Sequence, residues 1–204
     1  MAARTVGGLT LPVPVAGHPA LELCNTRANW TSPDYREYLV SFAHAVTLAV
    51  DRGLMGTATA REVAALAATE PDAAEAALGR VLTLRRDLYA VLTDPQPGAA
   101  ARRLDRTMLA ARRRRHLVGR DGSGLPAWSQ VVDLDTPLDV FARAAEDLLT
   151  SDAGEHVRAC AGTGCGWLFT DPTHRRRWCS MQWCGNREKA RRHAARTARG
   201  RTAT

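Results

Sequence analysis

Cys160-Ala161-Gly162-Thr163-Gly164-Cys165 and Cys179-Ser180-Met181-Gln182-Trp183-Cys184-Gly185-Asn186-Arg187 decide how this chain is read. Two CxxxxC pairs stand thirteen residues apart, and an arginine-rich stretch follows the last cysteine at once. Four thiolates can close a tetrahedral zinc sphere if each pair turns tightly enough to aim both sulfurs at one point. Gly162 and Gly164 suit the first turn, because glycine tolerates positive φ and lets backbone N–H groups approach sulfur. Four protein ligands leave no open coordination position, so the expected cofactor is one structural Zn2+ on Cys160, Cys165, Cys179 and Cys184. Two disulfides or four free buried thiols are the competing readings. The fifth cysteine, Cys24, and the lack of a secretory signal weigh against the first. The density of the cluster weighs against the second.

The same residues carry a family likeness. Arg158-Ala159-Cys160, Cys165-Gly166-Trp167-Leu168-Phe169 with Asp171, then Arg176-Arg177-Trp178-Cys179-Ser180-Met181 and Cys184-Gly185-Asn186-Arg187, resemble the CGNR zinc finger. In that family the finger closes a protein whose larger N-terminal part is the ABATE domain, grouped with stress-response transcription regulators of bacterial type. Ala20 to Arg27 is similar to the opening signature of that domain, with Glu22 where aspartate is usual. The resemblance implies DNA binding by residues 153–204 and a sensor or interaction role for residues 1–152. It also makes Glu22, Asn25, Thr26 and Arg27 a candidate small polar ligand site, although Asn25 and Thr26 can equally serve as a cap or Asx turn.

Charge separates the two parts as well. Residues 175–204 hold ten of the 28 Lys and Arg residues and, among acids, only Glu188. The remainder of the chain is close to neutral, so the basicity belongs to the tail and points to a polyanion there. Lys189, Arg192, Arg196 and Arg199 share one helical stripe, with Gly200 expected to end the helix. Arg187 and Arg191 flank the stripe, and Arg175, Arg176 and Arg177 approach from the loop between the ligand pairs. At the helix start, Asn186 and Arg187 are placed to meet base edges in a major groove. The competing reading gives Asn186 a capping role and pairs Arg187 with Asp171.

Upstream, the expected fold class is α+β: a mainly helical N-terminal domain with a small β-hairpin, then the four-cysteine finger. Apolar residues at helical spacing predict helices over Tyr35–Arg52, Ala60–Ala68, from Asp72 to about Pro95, and from Ala99 to about Arg114. An edge strand is expected around Val6–Val13, a short helix from Pro19, a hairpin between His116 and Leu134 around Gly119–Gly124, and a helix from Thr136 to Ser151. The Arg112–Arg115 run reads as a solvated helix end, with a second nucleic-acid contact as the alternative. Trp167, Phe169, Trp178 and Trp183 are expected to form the finger's core with the metal. No run of eighteen apolar residues exists, so no membrane partner is expected and the location is cytoplasmic. HExxH, GxSxG, Walker and Rossmann patterns are all absent, which argues against an enzyme. Duplex DNA is therefore the expected partner. RNA is the alternative, with a small-molecule effector or self-association as a homodimer assigned to residues 1–152, and a protein-docking module also open.

Overall fold

Gly7 and Gly8, with φ of 55° and 80°, fold strand β1 (Ala3–Val6) back on β2 (Leu9–Pro12) in a computed structural model that describes residues 3–120 and 124–201. The expected single edge strand is thus a hairpin, because positive φ at both turn residues matches the twist of the flanking strands. Pro19 opens helix α1 (Pro19–Cys24), and His18 caps it, its Nδ1 accepting the Ala20 N–H at 3.2 Å. Strands β3 (Arg27–Ala28) and β4 (Arg36–Glu37) then pair antiparallel.

The first long helix, α2 (Phe42–Asp51), begins seven residues later than the apolar spacing from Tyr35 suggests. Tyr38 and Leu39 are indeed buried, but in extended backbone: the Tyr38 N–H reaches Thr26 O at 2.9 Å, continuing the β3–β4 pairing. Glu37 accepts the Leu39 N–H at 2.8 Å, which holds the chain out of a helix. Helices α3 (Thr57–Thr69), α4 (Pro71–Thr93) and α5 (Gly98–Arg113) follow, each within a few residues of its expected bounds. Strands β5 (Arg115–Arg120) and β6 (Pro126–Gln130) make the expected hairpin, with Leu117 opposite Trp128; residues 121–123 of its turn lie outside the described residues.

Helix α6 (Thr136–Thr150) is the centre of the molecule, packing against α1, α2, α4 and α5. Its stripe of Val140, Phe141, Ala144, Ala145 and Leu148 is buried, and each large apolar side chain withdrawn from water contributes about 1.5–3 kcal/mol. Arg85, which interrupts the apolar face of α4, is a buried ion pair: its guanidinium meets both Glu37 oxygens at 2.6 Å and donates to Thr26 Oγ1 at 2.9 Å. His44 is also satisfied, its Nδ1 2.8 Å from Ser41 Oγ, with burial lowering its pKa. No helix among the described residues is long and apolar enough to cross a membrane.

A short helix, α7 (Asp152–Glu155), spans the division expected between residues 152 and 153. Behind it, β7 (Val157–Ala159) and β8 (Leu168–Thr170) pair antiparallel, and a π-helical turn at Met181–Gly185 leads into α8 (Asn186–Arg201). Leu168 belongs to the main core, and Asn25 fixes it there. The fully buried Asn25 amide donates to Leu168 O at 2.9 Å and accepts the Leu168 N–H at 2.8 Å, acting as one more strand for β8. Asn25→Ala orphans both backbone groups, so urea denaturation should show a loss of about 2–4 kcal/mol. A change below about 0.5 kcal/mol, the size of an ordinary surface substitution, would refute this role.

Candidate metal centre and basic helix

All five cysteines are free, which removes the disulfide reading. The sulfurs of Cys160, Cys165, Cys179 and Cys184 lie within 4.8 Å of one another and are buried. Cys165 and Cys179 Sγ are 3.8 Å apart, and Cys179 and Cys184 Sγ are 3.5 Å apart. A zinc–sulfur bond of about 2.3 Å places tetrahedral sulfurs about 3.8 Å from each other, so the spacing fits that ion. The donor chemistry fits too. Hydrogen bonds, first from Cys165 and then from Cys179, hold the Cys160 thiol far below the ordinary thiol range, and Cys184 is lowered too, while Cys165 and Cys179 are pushed up, chiefly by their hydrogen bonds with Cys160. A small buried space that favours thiolate at two of its four sulfurs and resists it at the other two is the electrostatic setting a divalent cation relieves. Bound there, zinc would supply a structural cross-link between the two turns.

Backbone and side-chain donors support the sulfurs. Gly162 and Cys179 N–H groups point at Cys160 Sγ from 3.4 and 3.2 Å, and Arg187 Nη2 lies 3.6 Å from Cys184 Sγ. Such outer contacts orient ligands and stabilise their charge. Around the cluster, Trp167 and Phe169 are fully buried and Trp178 partly so, and Ala28 and Tyr38 from β3–β4 complete the same core. Trp183, expected there, stays at intermediate exposure outside it. Trp30 was not anticipated from sequence, yet it stacks on Tyr89 at 3.7 Å and donates its backbone N–H to Cys165 O at 3.0 Å. Gly166 sits against this pair with φ of 65°, and a Cβ there would come within 2.7 Å of Trp30.

The basic residues divide by what they touch. The Arg176 guanidinium donates to Val15 O at 3.1 Å and Cys179 O at 2.7 Å and lies 4.2 Å over Phe169, so it ties the finger to the N-terminal segment. Arg177 covers Trp178 at 5.1 Å. Arg187 is turned to Thr163 O and the Cys184 sulfur, and not to Asp171 as one reading had it. Asp171 instead accepts the Arg176 N–H at 2.8 Å and the Thr173 hydroxyl at 3.0 Å. Asn186 is exposed and donates back to Gln182 O at 3.2 Å. Arg191 pairs with Glu188 at 3.0 Å, and Arg192 reaches Glu188 O through Nε at 3.4 Å. Arg175, Lys189 and Arg196 are exposed and have no partner among the described residues; the side chain of Arg199 lies outside them, and α8 runs through Gly200 instead of ending there.

Glu188, counted from sequence only as the tail's acid, is buried and accepts the Thr163 N–H at 3.0 Å. It locks the first turn to the start of α8. The upstream candidate residues are likewise occupied. Glu22 is buried and accepts the Ala16 N–H at 2.8 Å, with its pKa raised by burial. Thr26 donates to Leu23 O at 2.6 Å, and Arg27 lies over the rings of Tyr35 and Trp30 at 4.1 and 4.8 Å. Glu22 alone of these lines a cleft of about 500 Å³, shared with Asp51 and Arg52.

Residues 17–152 match the ABATE family, described as "Putative stress-induced transcription regulator", and residues 156–197 match the CGNR zinc finger. No curated protein matches the chain.

Purified protein should carry one zinc per chain and release it as pH falls, since each thiolate must give way to a thiol. Mass spectrometry of Cys179→Ser should show that zinc lost, whereas a full equivalent retained would contradict the four-sulfur site. Burial pushes the Cys24 thiol up to about 12, so maleimide at pH ~8 should leave Cys24 of the native chain unlabelled.

Proposed function

The chain belongs to the ABATE family and carries a CGNR zinc finger, and from that premise we propose that it is a transcription regulator that binds duplex DNA through α8. One observation carries the reading: α8 is exposed from residue 189 to 197, and its single acid, Glu188, is buried against the finger. The solvent-facing charges of the helix are therefore all positive. Its main packing partner is the π-helical turn that bears Cys184, so the metal centre fixes the helix at one end and leaves the rest free to enter a groove.

Within this proposal the basic residues have unequal roles. Lys189, Arg192 and Arg196 contact phosphates and supply affinity without sequence information. Asn186, exposed at the N-terminal end, is the residue for a base edge, and Arg187 and Arg176 position the helix and the finger. Residues 1–152 form the sensing or self-associating part, and residues 153–204 the DNA-binding part. The tight contacts of Asn25, Trp30 and Arg176 give a signal in one part a direct path to the other. Both matched families are regulatory and not enzymatic.

If about six phosphates are neutralised, log affinity for random duplex DNA should fall with log salt at a slope near −5. The double variant Lys189→Ala, Arg196→Ala should flatten that slope by about 2 and weaken all sequences alike. A salt-independent affinity, or tighter binding to structured RNA at matched salt, would overturn the duplex reading.

A further inference from the structure

The end of the Arg112–Arg115 run and the β5–β6 hairpin frame a cleft of about 600 Å³ against α6 that the finger does not use. Trp128 forms one wall and is 59% exposed, with the Arg115 guanidinium 4.4 Å from its ring centroid. Arg143 of α6 lies behind it. Its Nη2 donates to Gln130 Oε1 at 2.7 Å, while its buried Nη1 has no acceptor among the described residues. Burial, and then the neighbouring Arg115 charge, push the Arg143 pKa down, with the nearby Asp139 opposing them only in part.

The carboxylates nearby are already engaged. Glu146 pairs with Arg112, Asp147 with His18 Nε2 at 3.2 Å, and Asp139 with Arg114 at 2.6 Å. That leaves Arg115 and Arg143 as two guanidiniums with no carboxylate ion pair among the described residues, beside an exposed flat ring. Glu146 and Asp147 also line the cleft, so a polyanion would be repelled where a small anion is accommodated. A volume in this range suits a small molecule.

We propose that this cleft binds a planar aromatic anion, its ring stacked on Trp128 and its carboxylate or phosphate held by Arg115 and Arg143. A guanidinium fork matches either group, and an indole face accepts any flat ring. The regulatory meaning rests on the effector-sensing reading above; the binding does not. Asp147, on the rim, holds His18. Two and three residues before His18, Ala16 O accepts the Thr170 N–H at 2.9 Å and Val15 O accepts Arg176. The segment touching the cleft is thus hydrogen-bonded to the finger.

Isothermal titration of the full zinc-loaded chain with 2-naphthoate and with AMP, against neutral 2-naphthamide, tests the site. At least one anion should bind saturably, and the amide at least about tenfold more weakly. Arg143→Gln and Trp128→Ala should each weaken the anion by about tenfold or more, while zinc content and affinity for random duplex DNA stay unchanged. Trp128 is exposed, so its replacement leaves the core intact. Naphthoate preferred over AMP would identify a carboxylate site, and the reverse a phosphate site. Absence of saturation at millimolar concentration, equal binding of the amide, or unaltered affinity in both variants would overturn the proposal. Loss of DNA binding by the wild-type chain would sink the function above and leave this site standing.

Discussion

Four sulfur atoms confined within 4.8 Å of one another in a buried space impose the constraint on which the C-terminal structure depends. Left as thiols they would bury weak hydrogen-bonding groups to no purpose, and as bare thiolates they would repel. A divalent cation resolves both problems and cross-links the two turns. Everything that gives α8 its position begins from that junction: Cys184 lies in the π-helical turn, Arg187 bends back to its sulfur, and Glu188 secures the Thr163 N–H. A helix with so much positive charge and so little apolar surface could not hold itself in place.

The finger is also inseparable from the rest of the chain. Its core is completed by Ala28 and Tyr38, its strand β8 is held by the Asn25 amide, and the Trp167 indole N–H donates to Arg27 O at 2.9 Å. A segment of about 45 residues buries too little surface to stand alone without help, and here the metal and a borrowed core act together. Any shift of α1 or β3–β4 would therefore be felt at the metal centre as a packing change.

The sequence made some of this visible and hid the rest for physical reasons. Cysteine spacing is a local signal, and so are the helical periods of α4, α5 and α6, the proline at the start of α1 and the hairpin glycines. What could not be read locally were the long-range commitments. The apolar positions Tyr38 and Leu39 continue a helical period, yet hydrogen bonds to Thr26 and Glu37 hold them extended. Asn25 reads as a cap, which it is at the end of α1, but the hold of its side chain on β8 was not legible. Arg176 and Arg187 looked like DNA contacts from charge and position alone, and only the fold shows them turned toward carbonyl oxygens and sulfur. Glu188 was legible as a solitary acid in a basic tail, and its burial was not.

The central claim is that a zinc-organised finger presents α8 to duplex DNA. It is tested most directly by titrating random-sequence duplex DNA with the zinc-loaded chain and with the same chain stripped of zinc. The account predicts salt-sensitive binding by the loaded form that the stripped form loses and recovers when zinc is returned. Equal affinity with and without the metal, or no affinity in the loaded form, would contradict it.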